Sequence, residues 1–165
     1  MKTLKFALAA AFITVLASCQ KDSYDYGKDI REASEALRRQ YQDKLYGTWQ
    51  NIETLGGERQ ALVTNLDLRP DKQYDYSLVE TTIDENGNPI DTAHADTVNS
   101  MNGTWSFGAR RLEENGSPEP VLTLEQRYGN NAANEWIIRF VSVDATTLKL
   151  DIFGVTVFKK QSSQP

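Results

Sequence analysis

LDLRPDKQYDY, residues 66–76, is the stretch that decides the fold of this 165-residue chain. Its leucine and tyrosine residues alternate with polar ones on both sides of a Pro70-Asp71 pair. Alternation of this kind places the apolar side chains on one face of an extended strand. A proline followed by an aspartate is typical of a tight turn. The stretch therefore predicts two half-buried antiparallel strands joined by a hairpin.

Similar alternation continues along most of the chain after Gly47, with turn sequences such as Asn86-Gly87 between the apolar rows. About eight or nine short strands joined by tight turns favour an antiparallel up-and-down meander that closes into a barrel, since closure removes exposed edges. The predicted fold class is mainly β, with a barrel of about eight strands over residues 47–160; a sandwich is the alternative. The predicted strands are 47–54, 61–69, 73–83, 89–98, 103–112, 120–128, 135–143, 146–153 and 155–160.

One amphipathic α-helix is predicted ahead of the barrel, over residues 29–46. Asp29 and Glu32 have the spacing of a capping box, in which both side chains satisfy backbone N–H groups at a helix start. We expect the helix to end before Gly47 and to pack on the barrel, and a partner-binding helix is the alternative. Apolar residues at spacings of three and four form one stripe along it: Ile30, Ala33, Leu37 and Tyr41.

The start of the chain resembles a bacterial export signal. Lys2 and Lys5 precede an apolar run at 6–16 that is too short to span a bilayer, and a Leu-Ala-Ser-Cys sequence then ends at Cys19. Small residues that run into a single cysteine resemble the lipobox of bacterial lipoproteins. That resemblance implies a signal peptide at residues 1–18 and acylation of Cys19, with palmitate among the acyl chains. The expected location is the outer membrane, held by this lipid anchor.

Residues 19–28 are predicted to form a lipidated tether, and residues 161–165 a C-terminal tail. The sequence Gln-Lys-Asp behind Cys19 is similar in part to the surface-export signal of Bacteroidota lipoproteins. A solvated spacer is the alternative, because a charged run is usually only a hydrated segment. Both the periplasmic face of the membrane and the cell surface are therefore open as locations.

Composition narrows the possible function classes. The chain has a net charge of −5 at pH 7 and no basic run, which argues against binding to nucleic acid. Cys19 is the only cysteine, so its acylation would leave no thiol for a disulfide, a nucleophile or a metal ligand. The sequence has neither a Gly-x-Ser-x-Gly elbow nor a glycine-rich phosphate loop. We predict a protein that is not an enzyme and holds no cofactor.

One short segment contains two further motifs. His94 is the only histidine, and Asp91 and Asp96 beside it would supply oxygen ligands to a metal ion. A solvated loop histidine is the alternative, and we predict no metal site. Thr92 and Thr97 each follow an aspartate and precede a small or aliphatic residue. These sequences resemble the acceptor of Bacteroidota protein O-glycosylation, which implies modification of both threonines.

Four segments resemble lipocalins and the lipocalin-like lipoproteins of Bacteroidota: residues 47–49, 66–74, 102–105 and 144–150. In order and spacing they cover most of the chain from Leu45 to Lys160. The resemblance implies a lipocalin-like barrel behind a short helix. The Thr-Asp-Tyr motif of lipocalins is absent. Arg139 is the candidate for the arginine that covers the barrel tryptophan in that family.

Rows of aromatic side chains provide the candidate ligand-binding residues, because an eight-stranded barrel is just wide enough to enclose one small ligand. We predict a binding protein for a small apolar or amphipathic ligand. The alternative is a filled barrel that docks on another protein of the cell envelope as an accessory subunit. The candidate residues are Tyr74, Tyr76, Trp105, Phe107 and Trp136.

Overall fold

The computed structural model describes residues 26–56, 59–90, 96–114, 116–128 and 132–162. Within these ranges one helix precedes eight antiparallel strands, which pair in chain order and close into a barrel. This confirms the prediction of a mainly β, up-and-down barrel behind an N-terminal helix. The elements are α1 (Tyr26–Leu45), β1 (Gly47–Thr54), β2 (Gln60–Leu68), β3 (Gln73–Thr82), β4 (Asp96–Arg110), β5 (Glu119–Tyr128), β6 (Ala132–Val143), β7 (Thr147–Asp151) and β8 (Val155–Lys160).

The hairpin at residues 66–76 forms as predicted. Leu68 lies opposite Tyr74 and Leu66 opposite Tyr76 across β2 and β3, so all four side chains share the inner face. The turn closes where the Arg69 amide donates to the carbonyl of Gln73 at 3.0 Å. The amide of Gln73 in turn donates to the Asp71 carboxylate at 3.0 Å.

Strand β4 differs from its prediction. Residues 89–98 and 103–112 were expected as two strands, but one strand of 15 residues runs from Asp96 to Arg110. The polar run at 99–103 stays extended because its backbone pairs with β3, with Ser100 opposite Ser77. The turn lies earlier, where the Asp84 carboxylate accepts hydrogen bonds from the Asn86 and Asn88 amides, each at 2.8 Å.

The inward-facing side chains form a core at the end of the barrel where β1 begins, which we call the helix end. Trp49 is fully buried there, and its indole N–H donates to the carbonyl of Leu45 at 2.8 Å. The core consists of Leu45, Trp49, Leu66, Leu68, Tyr74, Trp105, Phe107, Leu122, Leu124, Ile138, Phe140, Val143, Leu148, Leu150 and Phe158.

A lysine covers the barrel tryptophan. The ammonium of Lys160, at the end of β8, lies 5.0 Å from the centroid of the Trp49 ring. Arg139 was the candidate for this position and is the wrong residue, because its position on β6 puts it on the outer face. It forms an ion pair with Glu119 at 3.2 Å.

Helix α1 covers an open edge of the barrel. Strand β3 pairs with β4 only as far as Thr104, which leaves the backbone of β4 beyond it without a strand partner on that side. The helix takes this place: the Ala109 amide donates to the Ser34 hydroxyl at 2.8 Å, and the Arg38 guanidinium donates to the Phe107 carbonyl at 3.0 Å. Covering an edge in this way prevents it from pairing with another chain.

Two of the four residues of the predicted stripe of α1 pack on the barrel core. Leu37 and Tyr41 contact the core, and the Tyr41 ring lies 5.3 Å from that of Phe140. The helix ends at Leu45, before Gly47 as predicted. No helix in the described residues is long and apolar enough to cross a membrane.

The start of α1 differs from its prediction. The helix begins at Tyr26, so Asp29 and Glu32 lie inside it and the capping-box prediction is wrong. The Asp29 carboxylate instead pairs with the guanidinium of Arg111 beyond β4. Residues 26–28 of the predicted tether are helical, and Cys19 lies outside the described residues.

We expect Ser34→Ala to lower the free energy of unfolding by about 1–3 kcal/mol, because the Ala109 amide would be buried without an acceptor. Urea unfolding measures this change, with Glu35→Ala at the neighbouring exposed position as the control. Equal unfolding midpoints for the two variants would contradict the role of Ser34.

Stability should also depend on the Asp144 carboxylate, which caps the β6–β7 turn. Hydrogen bonds from the amides of Thr146 and Thr147, at 2.8 and 2.7 Å, lower the pKa of this carboxyl. A carboxyl group whose pKa is lowered in the folded state stabilises the protein at pH values above its unfolded-state pKa of about 4. That stabilisation is lost as the pH falls through the folded-state pKa. Asp144→Asn should therefore be less stable than the wild type at neutral pH.

That deficit should shrink as the pH falls below about 4. Thermal unfolding of both proteins across this range tests the expectation. Asp43→Asn, at an exposed position of α1, serves as the control. A difference between wild type and Asp144→Asn that is constant with pH would be the contradicting result.

Candidate functional site

The barrel holds a cavity of about 440 Å³ away from the helix end. It lies toward the opposite end of the barrel, where the turns after β1, β3 and β7 are found, which we call the open end. Strand β3 contributes its floor through Tyr74, which is 1% exposed. The full lining is Tyr74, Asn99, Met101, Leu124, Gln126, Asn134, Glu135, Trp136 and Phe153.

Three neighbouring strands build the wall in two layers. Each contributes an apolar side chain at depth and, two residues nearer the open end, a carboxamide. Both point inward because side chains two apart in a strand share a face. The apolar tier is Met101 on β4, Leu124 on β5 and Trp136 on β6. The amide tier is Asn99, Gln126 and Asn134 on the same three strands.

Strand register sets the β5 and β6 residues of the two tiers side by side. Leu124 pairs with Trp136 across β5 and β6, and Gln126 pairs with Asn134 one step higher. On β4 the residue opposite Leu124 is Trp105, so Met101 and Asn99 lie nearer the open end. Exposure rises in the same direction: Leu124 is buried, whereas Asn99 and Asn134 are exposed. The cavity therefore changes from apolar to hydrogen-bonding between its floor and its mouth.

The candidate residues divide between two halves of the barrel. Tyr74 and Trp136 line the cavity, and Tyr76 packs against Trp136. The Tyr76 ring meets that of Trp136 edge-on, with centroids 5.6 Å apart and an angle of 84° between the planes. Burial raises the pKa of the Tyr76 phenol.

Trp105 and Phe107 lie in the core at the helix end instead, each 3% exposed. The Trp105 indole N–H donates to the Arg69 carbonyl at 3.0 Å, and the Lys72 ammonium lies 4.3 Å from its ring centroid. The Phe107 ring packs 4.9 Å from that of Phe140. These two residues fill the barrel and do not line the cavity.

Phe153 occupies an unusual position at the mouth. It lies in the turn between β7 and β8 and is 103% exposed, so its ring is fully in solvent. Its φ of 59° lies in the left-handed region, which is costly for a bulky side chain. The turn is closed by the Gly154 amide, which donates to the Asp151 carboxylate at 3.0 Å.

The charges at the cavity are compensated. Glu135 lies between the inward-facing Asn134 and Trp136, so its side chain is on the outer face. There its carboxylate accepts hydrogen bonds from the Arg110 guanidinium, one of them at 2.9 Å. These bonds lower the pKa of Glu135, so it is ionised and paired at neutral pH. Among the described residues, the lining contains no lysine, arginine or histidine.

Most of the lining was not predicted from the sequence, because only aromatic side chains were taken as candidates for ligand binding. The sequence gives a weaker indication for Met101 and the three amides. Alternation along each strand places their side chains on the inner face, near the open end of the strand. Phe153 was placed at the end of a strand, where an exposed turn position could not be foreseen. No pattern in the sequence marks Glu135 as a lining residue.

The other predicted positions lie elsewhere. Thr97 is exposed on β4, opposite Val79. Thr92, His94 and Asp91 lie outside the described residues, as does Cys19. Within the part of the chain that is described, no group of three acidic, histidine or cysteine side chains is arranged to hold a metal ion.

Comparison of the chain with protein-family models, with curated proteins and with solved structures gives no match. The lipocalin and lipoprotein resemblances therefore stay predictions.

Gly103 separates the cavity from the core on the inner face of β4. A Cβ at this position would lie 2.0 Å from the backbone oxygen of Glu125, so β4 and β5 would have to move apart. We expect Gly103→Ala to lower the free energy of unfolding of the barrel by at least about 1–3 kcal/mol. Urea unfolding checks this, and Gly56→Ala, which meets nothing within 4 Å, is the control. Matching unfolding midpoints would refute the close approach.

Proposed function

We propose that the barrel binds one small amphipathic ligand in the cavity at its open end. The two-tier wall carries this proposal. Its apolar tier would take up a hydrophobic part of a ligand, and its amide tier would orient a polar part at the mouth. The volume of about 440 Å³ lies within the usual range of small-molecule sites.

The filled half of the barrel supports the cavity. Core packing at the helix end fixes the strands that carry both tiers, and Tyr76 braces Trp136 from one side. A site held by rigid strands needs little reorganisation when a ligand enters, which favours affinity. We propose binding without catalysis, because the wall consists of apolar side chains and neutral amides with one compensated carboxylate.

We further propose that acylated Cys19 anchors the protein to the outer membrane. The lipobox resemblance supports this, and the position of α1 gives it a geometric consequence. The chain enters the barrel at the helix end, where Leu45 and Ser34 pack. An anchor ahead of α1 would therefore leave the open end of the barrel free for a ligand.

A second candidate function is docking on another envelope protein. The observation that favours it is a set of exposed apolar side chains on the outer surface of the neighbouring strands β1 and β8. Val155 is 61% exposed, and Ile52 and Val157 are each 37% exposed. Such side chains suit a protein contact when they are contiguous.

Native mass spectrometry of the full chain, purified from a bacterium that exports it, tests the first proposal. We expect an additional mass that is released on denaturation. Asn99→Trp should abolish it, because the side chain of Asn99 faces the cavity and an indole there would occupy its space. Ser100→Trp is the matched control, since this exposed neighbour faces outward.

The ligand-binding proposal would be wrong if the wild type carried no additional mass. It would also be wrong if Asn99→Trp retained that mass at the level of Ser100→Trp. Crosslinking in the intact envelope would then test the docking candidate.

A further inference from the structure

The chemistry of the amide tier defines the ligand more closely. We infer that the cavity binds a neutral carbohydrate, with its ring against Trp136 and its hydroxyl groups on Asn99, Gln126 and Asn134. This inference rests on the proposed function, namely that the cavity binds a small ligand.

The compensated charge of the lining points to a neutral ligand. An anionic ligand such as a fatty acid would bring a carboxylate into a wall whose described residues include no lysine, arginine or histidine. A cation would find one carboxylate among the described lining residues, that of Glu135, which faces outward and is paired with Arg110. Neither ion would gain a charged partner from these residues, so the described wall favours a neutral ligand over either one.

The three amides suit hydroxyl groups in particular. Each carboxamide has two N–H donors and an acceptor oxygen, and a hydroxyl group both donates and accepts. Within the described part of the chain, the side chains of Asn99 and Asn134 make no hydrogen bond to protein. A purely apolar ligand would cover these amides without giving them partners, and that burial is unfavourable. A ring with several hydroxyl groups would satisfy Gln126 and Asn134 at once, because these two residues pair across β5 and β6. Asn99, nearer the open end, would contact a further part of the saccharide.

The aromatic side chains complete the match. A sugar ring has apolar C–H faces and a polar edge, which is the same division that separates the two tiers. Trp136 would take one face, and its indole is held in place by the edge-on contact with Tyr76. Phe153 presents a second ring at the mouth, fully exposed and in a costly backbone conformation. The cavity thus offers aromatic surfaces together with a hydrogen-bonding rim.

Substitution of the amides by leucine tests the inference, because leucine has nearly the same size and no hydrogen-bonding group. The full chain is screened against an array of neutral oligosaccharides, and the strongest binder is titrated by calorimetry. We expect Asn99→Leu and Asn134→Leu each to weaken saccharide binding about tenfold or more. Ser100→Leu, on the outward face of the same strand, should leave the affinity unchanged.

Titration with decanol distinguishes a failure of the carbohydrate inference from a failure of the proposed ligand-binding function. If no saccharide binds at millimolar concentration, while decanol binds and Asn99→Leu tightens it, the cavity takes an apolar ligand and the carbohydrate inference is wrong. If saccharides bind equally well to wild type and both leucine variants, the amide tier is not their site. If neither probe binds, the proposed function fails together with the inference.

Discussion

The indole of Trp49 links the three elements that meet where the barrel closes. It donates to the last carbonyl of α1, at Leu45, and lies under the ammonium of Lys160 at the end of β8. The closing strands β1 and β8 pair at Trp49 and Gln50, a much shorter ladder than the one that joins β1 to β2 along its full length. Side-chain packing around one buried ring therefore supports a short backbone seam and fixes the end of the helix against it.

Because this contact and α1 both lie at the helix end, packing is uneven along the barrel axis. Phe107, Phe140 and Tyr41 fill the interior there and exclude solvent. Nearer the open end, the inward positions of β4, β5 and β6 carry amides, and a cavity lies beside them. The cavity is thus what remains where the aromatic core ends, and its floor is the Tyr74 ring.

The sequence predicts the barrel well because alternation is a local property. Leu66, Leu68, Tyr74 and Tyr76 identify an inner face from spacing alone, and strand order follows from short turns. The continuous strand β4 was missed because residues 99–103 are mostly polar, and their pairing with β3 keeps them extended.

The candidate site was only partly predictable for a different reason. Spacing assigns Trp105 and Trp136 to an inner face equally, yet one lies in the core and the other in the cavity wall. Depth along the barrel axis depends on the stagger between strands, which no local pattern contains. The amides were missed because a polar side chain that faces a barrel interior is unfavourable for folding unless it lies near the solvent-accessible end. The sequence alone does not show which inward positions lie near that end.

The two-tier wall separates what the barrel needs to fold from what it needs to recognise a ligand. Asn99 and Asn134 belong to strands whose other ends hold the core, but they make no contribution to that core themselves. Natural variation at such positions can change the preferred ligand while the barrel keeps its fold. The same division makes the mouth suitable for engineering new binding specificity on an unchanged scaffold.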